Sequence, residues 1–144
     1  PKKPKTFIRV KIIGKLLLTF TFKVMDKATL VMGASNDPTR YAYKAVKRLE
    51  AHGHQVIAFG KKREFIGDIP VENDWNTTWD VHTVTLYLNP RNQEDYIEPI
   101  IGLNPKRVIF NPGTENPEFT RKLAKAGIDY EFACTLVMLS AGQY

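Results

Sequence analysis

Cysteine and histidine are both scarce in this sequence of 144 residues, which holds one cysteine and three histidines. A single cysteine, Cys134, excludes an intramolecular disulfide framework and any metal cluster built from several thiolates. His52 and His54 flank a glycine, while His82 lies in a predicted strand, so the three match no metal-ligand spacing. Long apolar runs are missing as well. A membrane-spanning helix needs about 20 largely apolar residues, and the longest apolar stretch is too short.

The composition is nevertheless that of a folded domain. Hydrophobic residues make up 43% of the chain and charged residues 25%, with nine glycines and nine prolines. This mixture supports a packed core and excludes wholesale disorder or a collagen-like structure. The length is that of one ordinary domain.

The positive charge is concentrated at one end of the chain. The formal net charge is +6, from 21 Lys and Arg against 15 Asp and Glu, which by itself suggests a polyanionic partner. Residues 1–24, however, hold seven basic residues and no acidic one. The remaining residues carry 14 basic against 15 acidic side chains, a formal charge of −1. The body of the protein is therefore nearly neutral, and we predict neither nucleic acid nor a membrane as its partner.

Residues 1–24 form a basic and apolar N-terminal extension. Residues 12–22 are apolar as in a signal peptide, but Lys15 interrupts them and no small-residue cleavage site precedes Met25. We predict that the extension is not native to the protein and that Met25 is the natural start. Residues 7–12 alternate like a strand. We assign no function to the extension and predict one domain over residues 25–144.

Within that domain, apolar runs alternate with helical patterns. Strands are predicted at 28–32, 55–59, 81–88, 107–110 and 128–132, with a polar, irregular connection at 60–78. Helices are predicted from near Thr39 to the glycine at 53, at 92–102 and at 117–126, before a short apolar tail. This alternation predicts a Rossmann-like, doubly wound α/β fold, with a mainly parallel five-stranded sheet and helices on both faces.

The loops that follow the predicted strands contain most of the residues suited to ligand binding. In doubly wound sheets, ligands bind beyond the carboxyl ends of the strands, where the strand order reverses. All five such loops are rich in Gly, Asn, Pro, Ser or Lys. They span residues 33–40, 60–63, 88–90, 111–115 and 133–135.

The first loop is suited to phosphate. Gly33 permits a sharp turn, and the backbone N–H groups from Ser35 onwards, with the positive end of the next helix, can bind phosphate oxygens. Ser35 and Asn36 would add side-chain hydrogen bonds; the alternative is that they cap the helix. The fingerprints G-x-G-x-x-G and G-x-x-x-x-G-K-[ST] are both absent, which disfavours NAD or ATP as ligand.

The second loop is basic where an NAD-binding fold would be acidic. Gly60 is followed by Lys61, Lys62 and Arg63, whereas an acidic residue at this strand end would hold a ribose 2′-hydroxyl. Three cations suit a phosphorylated ribose instead. The alternative is an ordinary solvated basic turn.

No catalytic residue emerges from the remaining candidates. Glu115 precedes a helix and has no paired acid, so an interaction with the helix dipole is favoured. Cys134 has no histidine at an activating spacing and is expected to be a small buried side chain. Trp75 and Trp79 either cover an adenine ring or, as we favour, pack over the edge of the sheet.

Taken in order, these loops resemble those of the bacterial single-domain CoA-binding proteins, which are similar to the CoA-binding domain of the succinyl-CoA synthetase α chain. The resemblance covers nearly all of residues 25–144. It is carried by Gly33-Ala34-Ser35, Arg40 with Tyr43, Gly53 before Val56-Ile57, Ile66-Gly67, Asn89-Pro90, Gly113 with Glu115-Asn116-Pro117, Ala126-Gly127-Ile128 and Cys134. It implies a cytoplasmic module that binds CoA or an acyl-CoA.

The resemblance also implies where CoA lies along the carboxyl edge of the sheet. The pyrophosphate would rest on Gly33, Ala34, Ser35 and Asn36, with Arg40 at the opening of the helix counted among the binding residues. The adenosine end with its 3′-phosphate would approach Gly60, Lys61 and Lys62. Asn89 and Pro90 would line the middle, and Asn111, Pro112 and Gly113 the pantetheine side.

The chain departs from the family pattern at three places. It reads Ala58-Phe59-Gly60-Lys61 where a proline motif is usual, Asn111-Pro112 where a glutamine is frequent, and Ala133 where an arginine commonly precedes the cysteine. Ligases of this type also need a second domain with a phosphorylated histidine, which no residue here matches, so catalysis is not implied. Two alternatives stay open: a small NAD(P)-dependent enzyme that uses the same cleft, and an interaction subunit that binds no ligand. Self-association or a protein partner is also left open.

Overall fold

The computed structural model describes residues 26–144 in full and residues 6–13 and 16–23 as backbone. Strands β1 (Thr6–Ile13) and β2 (Leu16–Lys23) pair antiparallel in a two-stranded sheet of their own. The strand predicted at 7–12 lies within β1. Residues 1–5, 14–15 and 24–25 lie outside the described residues, Met25 among them, and the non-native origin of residues 1–24 stays a prediction.

The main sheet has seven strands. In chain order they are β3 (Thr29–Met32), β4 (Val56–Phe59), β5 (Glu64–Ile66), β6 (Ile69–Glu72), β7 (Thr83–Leu86), β8 (Arg107–Phe110) and β9 (Asp129–Phe132). Across the sheet their order is β5-β6-β4-β3-β7-β8-β9. Every neighbouring pair is parallel except β5 and β6, which form an antiparallel hairpin at one edge.

The predicted doubly wound, mainly parallel α/β fold is confirmed, but the predicted count of five strands is wrong. The two additional strands, β5 and β6, lie in the stretch 60–78 that was predicted to be irregular. They are only three and four residues long, and their exposed positions are occupied by the apolar residues Phe65 and Pro70, so the hydropathy of the sequence does not alternate with burial. A short hairpin at a sheet edge leaves too little periodicity for a sequence pattern to detect.

Helices connect the parallel strands. They are α1 (Tyr41–Ala51), α2 (Pro90–Gln93), α3 (Ile97–Leu103), α4 (Pro117–Ala126) and α5 (Thr135–Ser140), with a 3-10 turn at Glu94–Tyr96. Helix α4 has the predicted bounds because Asn116 caps it and the left-handed Gly127 ends it. The single helix predicted at 92–102 is instead three short segments. The apolar tail of the sequence forms α5.

The helices cover both faces of the sheet, which explains why the central strands β3 and β7 are buried along their whole length. Helices α1 and α5 contact each other on one face, over a core that includes Val31, Val46 and Ala58. Helices α3 and α4 contact each other over the second core, which includes Leu86 and Phe119. Within the described part of the chain, no helix has the length and apolar character needed to cross a membrane.

The course of the chain through the sheet creates a reversal of strand order beside β3. From β3 the chain runs to β4 and then to the β5–β6 hairpin on one side. It then returns to β7 on the other side of β3 and continues to β8 and β9. The connections that follow β3 and β7 therefore run to opposite faces of the sheet. A crevice is left between them at the carboxyl edge.

Candidate functional site

A cavity of about 820 Å³ opens at the carboxyl ends of β4, β3 and β7. Its volume lies within the range of small-molecule and cofactor sites. Nine of the thirteen residues predicted to bind cofactor line it: Gly33, Ala34, Ser35, Asn36, Arg40, Gly60, Lys61, Lys62 and Asn89. The four others, Pro90, Asn111, Pro112 and Gly113, do not line this cavity, so their contact with a ligand stays a prediction.

Two glycines allow the first and second loops to pack backbone against backbone. A Cβ atom on Gly60 would lie 2.1 Å from the carbonyl oxygen of Ala34. Gly33 adopts a φ of +90°, and a Cβ there would lie 3.0 Å from the carbonyl oxygen of Tyr87. The N–H groups of Gly33 and Ala34 both donate to the Phe59 carbonyl at 2.9 Å. Any larger side chain at either glycine would separate the loops that form the floor of the cavity.

The hydrogen bonds of the first loop show which of its donors are available to a ligand. The amides of Gly33 and Ala34 are used within the sheet, and the Asn36 N–H donates to the Glu64 carboxylate at 2.9 Å. The Ser35 N–H has no partner among the described residues. The loop therefore offers one free amide and one amide that already binds an anionic group.

Neither Ser35 nor Asn36 caps the first helix, so that alternative is wrong. Helix α1 begins at Tyr41 with Arg40 as its N-cap, and no side chain accepts a hydrogen bond from its first turn. The Ser35 hydroxyl instead accepts from the Asp37 N–H at 3.1 Å. The uncapped first turn of α1 leaves its N–H groups directed out of the helix, which favours an anion near Arg40.

Asp37 stabilises the turn that leads into α1. Its carboxylate accepts from the Thr39 N–H at 3.0 Å and from the Thr39 hydroxyl at 2.7 Å. These hydrogen bonds lower the pKa of the exposed Asp37 carboxyl, and the Arg40 guanidinium, 3.9 Å away, adds to the effect. An ionised Asp37 therefore lies beside Arg40 at the rim of the cavity, in an exposed and weak ion pair.

The three cations of the second loop lie in two different environments. Lys61 and Lys62 line the cavity, and neither forms an ion pair with a described residue. Arg63 points to the β6 side, where it pairs with Asp74 and lies 3.9 Å from Glu72. The two lysines are thus available to a ligand phosphate, whereas Arg63 is engaged within the protein.

The opposite wall contains residues that sequence analysis did not assign. Arg91, Asn92 and Asp95 follow Asn89 along α2 and the 3-10 turn, and all line the cavity. The Asn89 side chain caps α2 by accepting from the Asn92 N–H at 3.0 Å. The sequence offered one signal for this wall: Arg91 lies two residues after Asn89, which the resemblance places in the binding site.

Aromatic residues form the apolar part of the cavity wall. Phe59 and Tyr96 line it with ring centroids 5.3 Å apart. Trp75 and Trp79 pack edge-on against Phe59 at 5.4 and 6.0 Å; both are half-buried against the core and do not line the cavity. Their favoured role as packing residues is confirmed. A planar ligand group near this wall would meet Phe59 and Tyr96.

Tyr87 and Leu88 separate the cavity from the loops that follow β8 and β9. Burial raises the pKa of the Tyr87 phenol, so the ring stays neutral. Beyond it, Asn111 is only 2% exposed and its amide donates to the Thr85 hydroxyl at 2.6 Å and the Leu86 carbonyl at 2.9 Å. Its oxygen accepts from the Thr135 N–H at 2.8 Å. The Asn111 side chain thus holds three segments of the protein together.

The earlier catalytic candidates lie outside the cavity. Glu115 accepts a hydrogen bond from the Gly113 N–H at 2.9 Å, while the neighbouring Asn116 rather than Glu115 caps α4. Cys134 is half-buried at the start of α5. His54 and His82 precede β4 and β7 at the opposite edge of the sheet, and burial lowers the pKa of both. Among the described residues, no group of His, Cys, Asp and Glu has the geometry of a metal site.

Comparisons with known proteins identify relatives of this fold and sequence. The family described as a CoA binding domain matches residues 27–140. A solved structure described only as an uncharacterized protein is 46% identical, with a TM-score of 0.81, over 84% of this chain and 100% of the other. A comparison with curated proteins found no match.

Two further solved structures are more distant. A hypothetical protein from Pyrococcus horikoshii OT3 is 26% identical, with a TM-score of 0.73, over 81% of this chain and 84% of the other. A protein from Thermus thermophilus is 24% identical, with a TM-score of 0.72, over 83% and 91% of the two chains, and shows the shared fold alone.

Proposed function

Because the chain belongs to the CoA-binding domain family, we propose that it binds CoA or an acyl-CoA in the cavity at the carboxyl ends of β4, β3 and β7. The observation that carries the proposal is the convergence of nine predicted binding residues around one cavity of about 820 Å³. These residues come from three separate loops. Their assembly depends on the reversal of strand order beside β3, the position at which this class of fold binds nucleotides.

The charges of the cavity suit a ligand with two phosphate groups at different points. Arg40 and the free Ser35 N–H lie on the first loop, where the resemblance places the pyrophosphate. Lys61 and Lys62 lie on the second loop, where it places the 3′-phosphate. Each well-formed contact between a cation and a phosphate contributes about 1.5–3 kcal/mol. Arg91 is a third source of positive charge on the opposite wall.

We propose that the module binds without catalysing a reaction. The cavity contains no histidine or cysteine among its described lining residues, and its three carboxylates are those of Asp37, Glu64 and Asp95. Asp37 accepts hydrogen bonds from Thr39, Glu64 accepts one from the Asn36 N–H, and Asp95 is exposed to solvent, so none of the three is placed as a buried, free general base. An NAD(P)-dependent enzyme in the same cavity remains the second hypothesis.

Calorimetry with CoA, dephospho-CoA and NAD tests the proposal, alongside mass spectrometry of small molecules released from the purified protein. We expect saturable binding of CoA, weaker binding of dephospho-CoA and none of NAD. Tight binding of NAD without binding of CoA would support the enzyme hypothesis. A thermal unfolding curve insensitive to CoA, with a stable partner on pull-down, would support the interaction subunit.

The two lysines provide the sharpest test of the 3′-phosphate contact. We expect the double variant Lys61→Ala/Lys62→Ala to lose about tenfold or more in CoA affinity and little in affinity for dephospho-CoA. Arg63→Ala is the matched control: it removes an adjacent cation that is engaged by Glu72 and Asp74 outside the cavity. If Arg63→Ala weakened CoA binding as much as the lysine variant, the assignment of the phosphate to Lys61 and Lys62 would be wrong.

A further inference from the structure

The carboxylate of Glu64 occupies a donor that the proposed ligand needs. The Asn36 N–H, within the loop proposed to hold the pyrophosphate, donates to Glu64 Oε2 at 2.9 Å. Glu64 is also among the residues that line the cavity. A carboxylate oxygen and a phosphate oxygen are both anionic acceptors, so they cannot share this N–H without strong mutual repulsion.

The position of Glu64 is fixed by the edge hairpin rather than by an ion pair. Glu64 is the first residue of β5 and lies opposite Val71 in the pairing with β6. Ile66, two residues further on, is fully buried in the core beneath α1. Glu64 is half-buried as a residue, but its hydrogen bond with the Asn36 N–H is exposed to solvent, and it forms no salt bridge with any described residue. Its backbone is therefore anchored while its side chain is free to rotate away from Asn36.

The hydrogen bond between Asn36 and Glu64 has two effects, one on the shape of the loop and one on the approach of an anion. A hydrogen bond between an amide and an ionised carboxylate is about twice as strong as a neutral one. It keeps the Asn36 amide directed toward the cavity, which preserves the shape of the loop. The same negative charge opposes any phosphate that approaches the free Ser35 N–H one residue away.

We infer that Glu64 is an internal competitor of the ligand pyrophosphate, and that its carboxylate must leave the Asn36 N–H when CoA binds. The inference rests on the proposed function, because it concerns the affinity of the same cavity. The affinity for CoA is then lower than it would be without the negative charge of Glu64. It also disfavours small anions that lack the rest of CoA to offset the displacement.

The test compares the affinity of the wild-type protein and of Glu64→Gln for CoA and dephospho-CoA by calorimetry. Glutamine keeps the shape and the acceptor but removes the charge. We expect the affinity of Glu64→Gln for both ligands to rise by the same factor, about five- to tenfold, because both contain the pyrophosphate. Inorganic pyrophosphate serves as a competing probe. Its inhibition constant, corrected for the CoA affinity of each protein, should be lower for Glu64→Gln than for the wild-type protein.

Glu72→Gln is the matched control. Glu72 is a carboxylate of the same β5–β6 hairpin, but it lies near Arg63 and does not line the cavity. Its replacement removes the same charge from the same hairpin, and we expect CoA affinity to stay within about twofold. An equal gain in both variants would mean that the general charge of the hairpin, rather than the Asn36 contact, limits binding, and would contradict the inference.

Other outcomes separate the inference from the proposed function. If Glu64→Gln bound CoA with equal or lower affinity, Glu64 would only support the loop. If its affinity rose for CoA but not for dephospho-CoA, Glu64 would oppose the 3′-phosphate rather than the pyrophosphate. Each of these results overturns the inference. If neither protein bound CoA, the proposed function itself would fail. Should Glu64→Gln not fold, Glu64→Asp retains the charge but withdraws it from Asn36, and a gain of about threefold is expected.

Discussion

Two Asn-Pro pairs follow neighbouring strands at the same edge of the sheet, and they have different roles. Asn89, after β7, is exposed on the wall of the cavity and caps the short helix α2. Asn111, after β8, is 2% exposed and donates to Thr85 and Leu86. The dipeptide is the same in both loops. The difference shows that a loop's position relative to the strand-order reversal decides whether its polar side chains face the open cavity or the interior of the protein.

The physical basis lies in what covers each strand end. The end of β7 borders the crevice beside β3, so the chain after it lines open space. The end of β8 lies between β7 and β9, and the start of α5 crosses over it, with the Thr135 N–H donating to Asn111 at 2.8 Å. A buried amide in that position must have its hydrogen bonds satisfied internally. The edge therefore has an open half, formed by the loops after β4, β3 and β7, and a closed half, formed by the loops after β8 and β9.

The largest expected effect comes from disrupting the open half at Gly60. In Gly60→Ala the new Cβ would lie 2.1 Å from the Ala34 carbonyl oxygen, so the first and second loops must separate. We expect a loss of about 3 kcal/mol in the free energy of unfolding, measured with urea, and loss of CoA binding.

Gly102→Ala in α3 is the control for the effect of adding a methyl group. Apart from the adjacent residues and the backbone of the helix itself, no atom lies within 4 Å of a Cβ at this position, and alanine favours the helix, so stability should stay equal or rise by about 0.5–1 kcal/mol. If Gly60→Ala were as stable as Gly102→Ala, the close packing of the two loops would be refuted.

A smaller effect is expected in the closed half from Asn111→Ala. The substitution removes three buried hydrogen bonds and leaves the Thr135 N–H without its acceptor. We expect a loss of about 2 kcal/mol in the free energy of unfolding by urea titration. A fall in CoA affinity with unchanged stability would contradict the structural role and would support the pantetheine contact that the resemblance implies.

The smallest effect is expected from Asn89→Ala, the counterpart of Asn111→Ala in the open half. This substitution removes one exposed capping bond from a helix of four residues, so about 1 kcal/mol or less should be lost. Urea titration of both variants under the same conditions measures the difference. If both variants lost the same free energy of unfolding, the distinction between the open and closed halves would be wrong.

Much of the fold was predictable because long periodic segments carry their own signals. The bounds of α4 follow from Asn116, Pro117 and Gly127, and residues 108–110 of β8 are a buried apolar run. The edge hairpin was not predictable, since β5 and β6 are too short to show a period. The different positions of the three cations depend on that hairpin. Lys61 and Lys62 line the cavity, whereas Arg63 pairs with residues of β6 and the loop that follows it.

The lining of the cavity could be predicted for the loops beside β3 and less well for the loops beyond them. Local residue types were enough to identify Gly33, whereas Gly60 was identified through the resemblance; close backbone contacts require glycine at both positions. The burial of Asn111 depends on β9 and α5 crossing near β8, which no local pattern encodes. The contact between Glu64 and Asn36 joins residues 28 positions apart through the edge hairpin, and sequence spacing alone gives no indication of it.

The most direct test of the account is the pattern of backbone amide chemical-shift changes when CoA is titrated into the isotope-labelled protein. We predict the largest changes at 33–37, 60–62 and 87–92, with the Asn36 amide among them, and smaller changes at 111–113, the predicted pantetheine side, and at 133–135. Changes concentrated at 111–113 and 133–135, with residues 33–37 unaffected, would contradict the claim that CoA binds in the open half of the sheet edge.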